Sequence, residues 1–206
     1  MRAEARRIAA GSGVAVAVLA SLGLRDPLAS MAGYTAALMA LNQVAPPLLL
    51  LAVPAGVPRF PWLDALLDPW SAGLVFVGLS VAISLPGVLD PSLANALYAL
   101  PLGLLELLSG LMLWAQLMPA TRRIRRDWLA GGLAWGAGIP MTVVALAWML
   151  WPRVLYTPYL DVICRWDIPP LADQRWAGFV MFAAGVPLQL AGTWLLLGLG
   201  RVRQPS

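Results

Sequence analysis

Long apolar stretches separated by short polar segments make up most of this chain. Six of them approach or exceed the roughly 20 residues with which a helix crosses a hydrocarbon core of about 30 Å. They cover residues 8–24, 28–51, 69–88, 92–118, 128–151 and 174–199. No low-complexity segment or internal repeat interrupts them. The pattern predicts an all-α fold, a polytopic integral membrane helix bundle of about six transmembrane helices, in a single domain over residues 1–206.

Composition excludes an ordinary soluble domain. Hydrophobic residues make up 60% of the chain, charged residues make up 12%, and the mean hydropathy is +0.77. Soluble domains carry about 25% charged residues. The first apolar stretch follows an arginine-rich start, as a secretory signal would. Because Leu24-Arg-Asp-Pro27 lacks a small-residue cleavage pattern, we expect this stretch to remain as a mature helix.

The arginines predict an orientation. All 14 cations are arginine, and positive charge resists translocation. With a cytoplasmic N-terminus, most of them fall inside: Arg2, Arg6, Arg7, Arg59, Arg122, Arg123, Arg125, Arg126, Arg201 and Arg203. Four fall outside: Arg25, Arg153, Arg165 and Arg175. We therefore predict that both termini are cytoplasmic, and we interpret the cluster at 122–126 as topological, with no nucleic-acid partner.

Aspartates stand where five of the spans begin. They are Asp26-Pro27, Asp68-Pro69, Asp90-Pro91, Asp127 and Asp173. An Asp side chain accepts hydrogen bonds from free amides of a first helical turn, and proline fits the first helical position. We expect these acids to cap helices rather than to catalyse.

Prolines and glycines inside the spans predict bent, closely packed helices. The prolines, expected to free carbonyl groups, are Pro46, Pro47, Pro101, Pro140 and Pro187. The glycine pairs expected at close helix contacts are Gly103 with Gly110, Gly132 with Gly136, and Gly178 with Gly185.

The longest connection lies outside, between Trp151 and Arg175. Thr157-Pro158 predicts the start of a short helix at the membrane surface, with an apolar set formed by Tyr156, Tyr159, Leu160, Ile163 and Trp166. Aromatic residues at this depth usually anchor a protein to the headgroups, and a partner surface is the alternative.

One acid, Glu106, falls near the middle of the fourth span, where a charge costs several kcal/mol. We expect it to face the bundle interior, with Asn42, Gln43 or Gln116 as partners. A protonated Glu106 is a structural hydrogen-bonding group. A deprotonated one is a site for a metal or for a partner's cation.

The residues that usually carry metal or redox chemistry are scarce. Histidine is absent, and Cys164 is the single cysteine, so imidazole ligands, a disulfide and a CxxC motif are excluded. Methionine thioethers suit Cu(I), and Met39, Met112 and Met181 are candidates, although methionine also fills gaps in cores. Because no nucleophile–base pair can be assembled within the membrane, we do not expect an enzyme.

Three stretches together resemble the multi-spanning CtaG family of cytochrome c oxidase assembly proteins. The first runs from Met31-Ala-Gly-Tyr34 through Asn42-Gln-Val-Ala-Pro-Pro47 and the following leucines to Pro54. The second comprises Ser84-Leu-Pro86-Gly-Val-Leu-Asp90, Gly103-Leu-Leu-Glu106-Leu107 and Leu113-Trp114. The third comprises Tyr156-Thr-Pro158-Tyr159 and Asp173-Gln174-Arg-Trp-Ala177-Gly178-Phe-Val-Met181.

The resemblance implies a copper-related scaffold in the plasma membrane of a bacterium, but this chain departs from it at the family's histidines. Those positions hold Tyr34, Leu38, Ser84, Gly103 and Leu107, and the family's first span has no counterpart. Imidazoles spaced i and i+4 on a helix address one ion, whereas these side chains do not. What the resemblance leaves is the scaffold and the Asp173-Gln174 corner, where Gln174 is expected to tie the outer loop to the bundle.

The leading hypothesis is an accessory subunit or assembly partner of a haem–copper cytochrome c oxidase, or of another membrane electron-transfer complex. It contacts large membrane subunits and the lipid bilayer, and its own residues hold no cofactor or metal. A lipid or quinone in a helix groove fits such a subunit. Two alternatives stay open: a copper-handling assembly factor that uses methionines and Glu106, and a small solute transporter with a path past Glu106.

Overall fold

The computed structural model describes residues 3–54, 67–159 and 167–199. Seven helices and no strand occur in these ranges. They are α1 (Ala3–Gly23), α2 (Met31–Leu51), α3 (Pro69–Ala82), α4 (Pro86–Ala94), α5 (Ala96–Trp114), α6 (Asp127–Leu150) and α7 (Pro170–Leu196). Five of them are long and apolar enough to cross a membrane, and α3 with α4 forms a sixth, bent candidate. The prediction of an all-α polytopic membrane bundle is confirmed.

Contacts between helices show how α1, α2 and α5 run relative to one another. Gly13 of α1 packs against Leu49 of α2 and Gly23 packs against Ala37, so these two helices are antiparallel. Gly103 of α5 packs against Leu41 of α2 and Gly110 packs against Pro46, so α2 and α5 are parallel. The chain must therefore return across the membrane between α2 and α5, and α3 makes this return.

The predicted span 69–88 ends early. Helix α3 stops at Ala82, and α4 leaves at 71° to it. The break precedes Pro86, which holds Leu85 in an extended conformation because proline disfavours a helical residue before it. Asp90 and Pro91 lie inside α4, so their assignment as a helix start is wrong. The next long helix begins after Asn95, whose side chain accepts a hydrogen bond from the amide of Leu97 at 2.9 Å.

Two further aspartates behave differently from each other. Asp68 caps α3 as predicted, accepting hydrogen bonds of 3.1 Å from two amide groups of the first turn. Asp26 precedes only a 3-10 turn at Pro27–Ala29, and Ser30 caps α2 instead, accepting from the amide of Gly33 at 3.1 Å. A hydroxyl at the residue just before the helix reaches those amides more directly than an acid four residues earlier.

Close packing joins α6 to α7. The predicted contact at Gly178 is confirmed, because a Cβ there would lie 2.7 Å from the carbonyl oxygen of Ala145, and Gly131 makes a second contact that the sequence did not indicate. A Cβ on Gly131 would lie 2.7 Å from the carbonyl oxygen of Gly192, so only glycine allows this approach. By contrast, Cβ atoms on Gly132, Gly136 and Gly185 would meet open space, and the predicted contacts at these three positions are wrong. Spacing alone does not reveal which side of a helix meets a neighbour.

A candidate polar site between α2 and α5

Helix α2 widens into a π-helical turn at Ala40–Val44. The cause lies in the sequence just after it. Pro46 and Pro47 have no amide hydrogen, so the carbonyl groups four residues earlier, on Asn42 and Gln43, lose their usual helical partners. Single π turns inside α-helices occur frequently at functional sites. Here the turn places the side chains of Asn42 and Gln43 in the bundle interior, where both are buried.

Glu106 of α5 faces this turn and is 1% exposed. The side-chain nitrogen Nδ2 of Asn42 donates to Oε2 of Glu106 at 2.6 Å and to the Glu106 carbonyl oxygen at 3.1 Å. It also lies 3.1 Å from the hydroxyl of Ser109, which donates to the same carbonyl group. Gly110 lies one turn further along α5, and a Cβ at this position would collide with the carbonyl oxygen of Asn42. The small residue thus lets α5 approach α2 closely enough for these hydrogen bonds.

Gln43 extends the network towards α6. Its Nε2 donates to Oδ1 of Asn42 at 2.5 Å and lies 3.6 Å from the sulfur of Met141. Two acceptors in the network have no protein partner among the described residues, Oε1 of Glu106 and Oε1 of Gln43. A buried acceptor without a partner costs about 1–3 kcal/mol. The network can therefore take up a proton on Glu106, a buried water or a small cation.

Gln116 was expected near Glu106 and lies elsewhere. Its Nε2 donates to the carbonyl of Leu67 at 2.8 Å and to that of Met112 at 3.4 Å. It therefore joins the end of α5 to the segment just before α3. One helix cannot fold back on itself over the ten positions between 106 and 116, so a contact with Glu106 was not available.

Asp173 was expected to cap its own span, and that expectation is wrong. Helix α7 begins at Pro170, and Asp173 lies within its first turns. Its carboxylate accepts from the hydroxyl of Ser30 at 2.8 Å, from the amide of Met31 at 2.5 Å and from the amide of Ala32 at 3.3 Å. Asp173 thus caps α2, where an anion is favoured by the free amides and the positive end of the helix dipole.

Gln174, next to it, ties the outer segment after α6 to the bundle. Its Oε1 accepts from the amide of Leu155 at 2.8 Å. Its Nε2 donates to the carbonyl groups of Trp148 and Arg153, both at 3.3 Å. The corner formed by Asp173 and Gln174 therefore connects α7 with the start of α2 and with the end of α6.

Tyr156 lies inside this corner rather than at the membrane surface, which corrects the expectation of an anchor. Its hydroxyl donates to the carbonyl of Ser84 at 2.9 Å and accepts from the indole of Trp148 at 2.6 Å. Burial raises the pKa of Tyr156 above its usual value near 10. The structure has a 3-10 turn at Thr157–Tyr159, and Leu160, Ile163, Cys164 and Trp166 lie outside the described residues.

Comparison with known protein families matches residues 3–200 to the cytochrome c oxidase caa3 assembly factor family, Caa3_CtaG. The chain belongs to this family. No curated protein and no solved structure matches it. The resemblance drawn from the three sequence stretches is therefore confirmed, as is the assignment to membrane proteins of oxidase assembly.

The five positions at which the resemblance led us to expect histidine form packing contacts or hydrogen bonds in the structure. Leu24 and Leu41 fill the space in front of Gly103, where a Cβ would meet both leucine side chains. Leu38 is buried. Tyr34 is buried as well, and its hydroxyl forms a 2.9 Å hydrogen bond with that of Ser92. Ser84 supplies the carbonyl that binds Tyr156, and Leu107 packs against the core.

The donor set does not fit an imidazole or thiolate metal site in the part of the chain that the structure describes. No group of three histidine, cysteine, aspartate or glutamate side chains comes together there. Met39, Met112 and Met181 are all buried, and the thioether that contacts the polar network is that of Met141. Sequence reasoning missed Met141, because nothing in its own span marks which residue faces Gln43.

Proposed function

We propose that this CtaG-family protein supports assembly of a haem–copper cytochrome c oxidase by binding large membrane subunits, as an accessory subunit or assembly partner. In this proposal it does not act as an enzyme and does not hold metal through ligands of its own. The family match over residues 3–200 carries the proposal. The packing at Gly103 supports its second part, because a histidine at this position would need the space that the Leu24 and Leu41 side chains fill.

The polar network between α2 and α5 fits a structural role in this proposal. Asn42 joins the two helices through a short bond to Glu106, and Asp173 and Gln174 join the outer ends of α2, α6 and α7. These contacts connect four of the long helices. Because these contacts fix the helices relative to one another, the outer surface of the bundle keeps one shape when it meets a partner.

The outer surface of α7 is the part that we assign to the partner. Large apolar side chains along it are exposed, namely Trp176, Phe179, Phe182, Val186, Leu190 and Trp194. Trp176 and Phe179 pack edge to face with ring centroids 5.7 Å apart. Rigid aromatic side chains contribute much of the energy of protein interfaces at a low cost in entropy.

Purification of the tagged protein in gentle detergent, followed by identification of what co-migrates, tests the proposal. We expect large oxidase subunits in the same fraction. The double variant Trp176→Ala/Phe179→Ala should lose most of them, whereas Tyr98→Ala, an exposed aromatic on the outer part of α5, should keep them. Migration of the protein alone at every detergent strength contradicts the proposal, and equal loss in both variants contradicts the assignment of α7.

Metal analysis of the pure protein separates this proposal from a copper-handling factor. That alternative uses Met39, Met112, Met181 and Glu106. The structure adds the thioether of Met141 beside Gln43 and leaves Oε1 of Glu106 without a partner in the described ranges. We expect copper far below one ion per chain. Stoichiometric copper that is lost in Met141→Leu or Met181→Ala would overturn the proposal that the protein holds no metal.

A further inference from the structure

A groove of about 750 Å³ runs along the outside of the bundle between α3 and α6. The two helices touch where Gly73 meets Leu133, and they leave open space in front of Gly132 and Gly136. Apolar side chains, including Leu74 and others from both helices, line most of its length. Its volume falls within the range of about 300–1,000 Å³ that is usual for ligand pockets.

Two arginines stand at one end of this groove, just before α6. Arg125 and Arg126 line it and are exposed, and neither forms an ion pair or hydrogen bond through its guanidinium in the described ranges. Their neighbour Arg122 differs, because it pairs with Asp127 at 2.7 Å. The first amides of α6 lie at the same end, and Arg126, the residue before the helix, has no acceptor atom with which to cap them. Free cations and a helix N-terminus both favour an anion here.

Aromatic side chains mark the depth of this end in the membrane. Trp70 and Trp128 line the groove beside the arginines and are 79% and 52% exposed. Tryptophan concentrates at the level of the lipid headgroups, because its ring is apolar and its N–H group needs a polar partner. The groove therefore has a cationic end at headgroup level and an apolar length within the hydrocarbon core.

We propose that this groove binds one anionic phospholipid of the cytoplasmic leaflet. The phosphate lies between Arg125 and Arg126, and an acyl chain runs over Gly132 and Gly136. Charge decides between occupants. A quinone or a zwitterionic lipid brings no net negative charge to the two arginines, and an apolar partner helix would leave both without a counter-ion. The predicted orientation places the arginine end in the cytoplasmic leaflet, where anionic lipids concentrate.

Native mass spectrometry of the purified protein, titrated with phosphatidylglycerol or with phosphatidylcholine of the same chains, tests the proposal. We expect one phosphatidylglycerol to bind more tightly than phosphatidylcholine. Neutralising an arginine near the headgroups should weaken phosphatidylglycerol binding about fivefold, and Arg125→Gln/Arg126→Gln about thirtyfold. Arg6→Gln/Arg7→Gln is the matched control, because it removes the same charge from the same predicted side of the membrane.

A second variant tests the apolar length independently of charge. A Cβ at Gly136 would meet open space, so we expect Gly136→Leu to leave the fold intact and to weaken the binding of both lipids by blocking the acyl chain. Three results overturn the proposal: equal affinity for the two lipids, an equal effect of the Arg6/Arg7 control, or displacement of phosphatidylglycerol by an equimolar quinone. None of these measurements depends on an oxidase partner.

Discussion

Asp173→Ala should be the most damaging single substitution of a polar residue in the described part of the chain. The wild-type carboxylate is 2% exposed and accepts three hydrogen bonds, from the Ser30 hydroxyl and from the amides of Met31 and Ala32. Alanine leaves these three donors, at the N-terminus of α2, without an acceptor. Asp173 and Met31 are 142 positions apart along the chain, so the lost bonds are ones that join distant segments.

The magnitude follows from the bonds that are lost. A hydrogen bond to a charged group contributes about 1.5–3 kcal/mol, and two of the three donors are amides of the α2 first turn. Water and lipid headgroups can accept some of the hydrogen bonds that the three donors lose. We therefore expect a loss of about 3–5 kcal/mol in the free energy of unfolding. Asp173→Asn retains one acceptor oxygen but places an NH₂ group where one carboxylate oxygen was, so about half of this loss should remain.

Unfolding in mixed micelles of a mild detergent and dodecyl sulfate, followed by circular dichroism, measures the difference. Asp68→Ala is the matched control, since Asp68 caps its own helix at an exposed position with two bonds of 3.1 Å. It should cost about 1 kcal/mol. If Asp173→Ala costs no more than Asp68→Ala, the carboxylate does not hold α2 to α7, and the reasoning fails.

Substitutions at Gly110, Glu106 and Tyr156, with a control at Gly185, test other contacts by the same unfolding assay. Gly110→Ala places a Cβ against the Asn42 carbonyl oxygen and should lower the free energy of unfolding by more than about 2 kcal/mol. Gly185→Ala is the control, because its Cβ meets open space, and it should leave the free energy of unfolding unchanged or raise it by about 0.5–1 kcal/mol. Equal effects of the two variants would show that α2 and α5 are not in close contact. Glu106→Gln keeps an acceptor for Asn42 and should lower the free energy of unfolding by less than about 1 kcal/mol. Glu106→Leu removes the acceptor and should lower it by about 1–3 kcal/mol. A large loss in the glutamine variant would indicate that the charge itself is needed. Tyr156→Phe removes bonds to the Ser84 carbonyl and the Trp148 indole and should cost about 2 kcal/mol near neutral pH. Because the folded state raises the pKa of Tyr156, its contribution is complete below about pH 10 and declines as the pH rises further. The wild type and Tyr156→Phe should therefore converge in strongly alkaline buffer, and a constant difference would contradict the buried hydroxyl.

Features that depend on neighbours along the chain could be predicted from the sequence. The apolar stretches account for the long helices, and the cap at Asp68 was correctly expected from its position before Pro69. Pro46 and Pro47 indicated an irregular α2, and the structure has a π turn just before them. In each case the deciding hydrogen bonds are made or lost within about five residues, so local chemistry is sufficient.

Features that join distant segments were settled only by the packing of the helices. The sequence marked Asp173 as a cap but not the helix that it caps, and it grouped Gln116 with Glu106 although Gln116 binds the carbonyl of Leu67. At the contact of α6 and α7, Gly178 was predicted but Gly131 was missed for the same reason, since Gly131 and Gly132 differ only in the direction they face. A helix repeats every 3.6 residues, and in a membrane all its sides are apolar. Hydrophobicity therefore does not distinguish the side that faces protein from the side that faces lipid, and only the three-dimensional arrangement does.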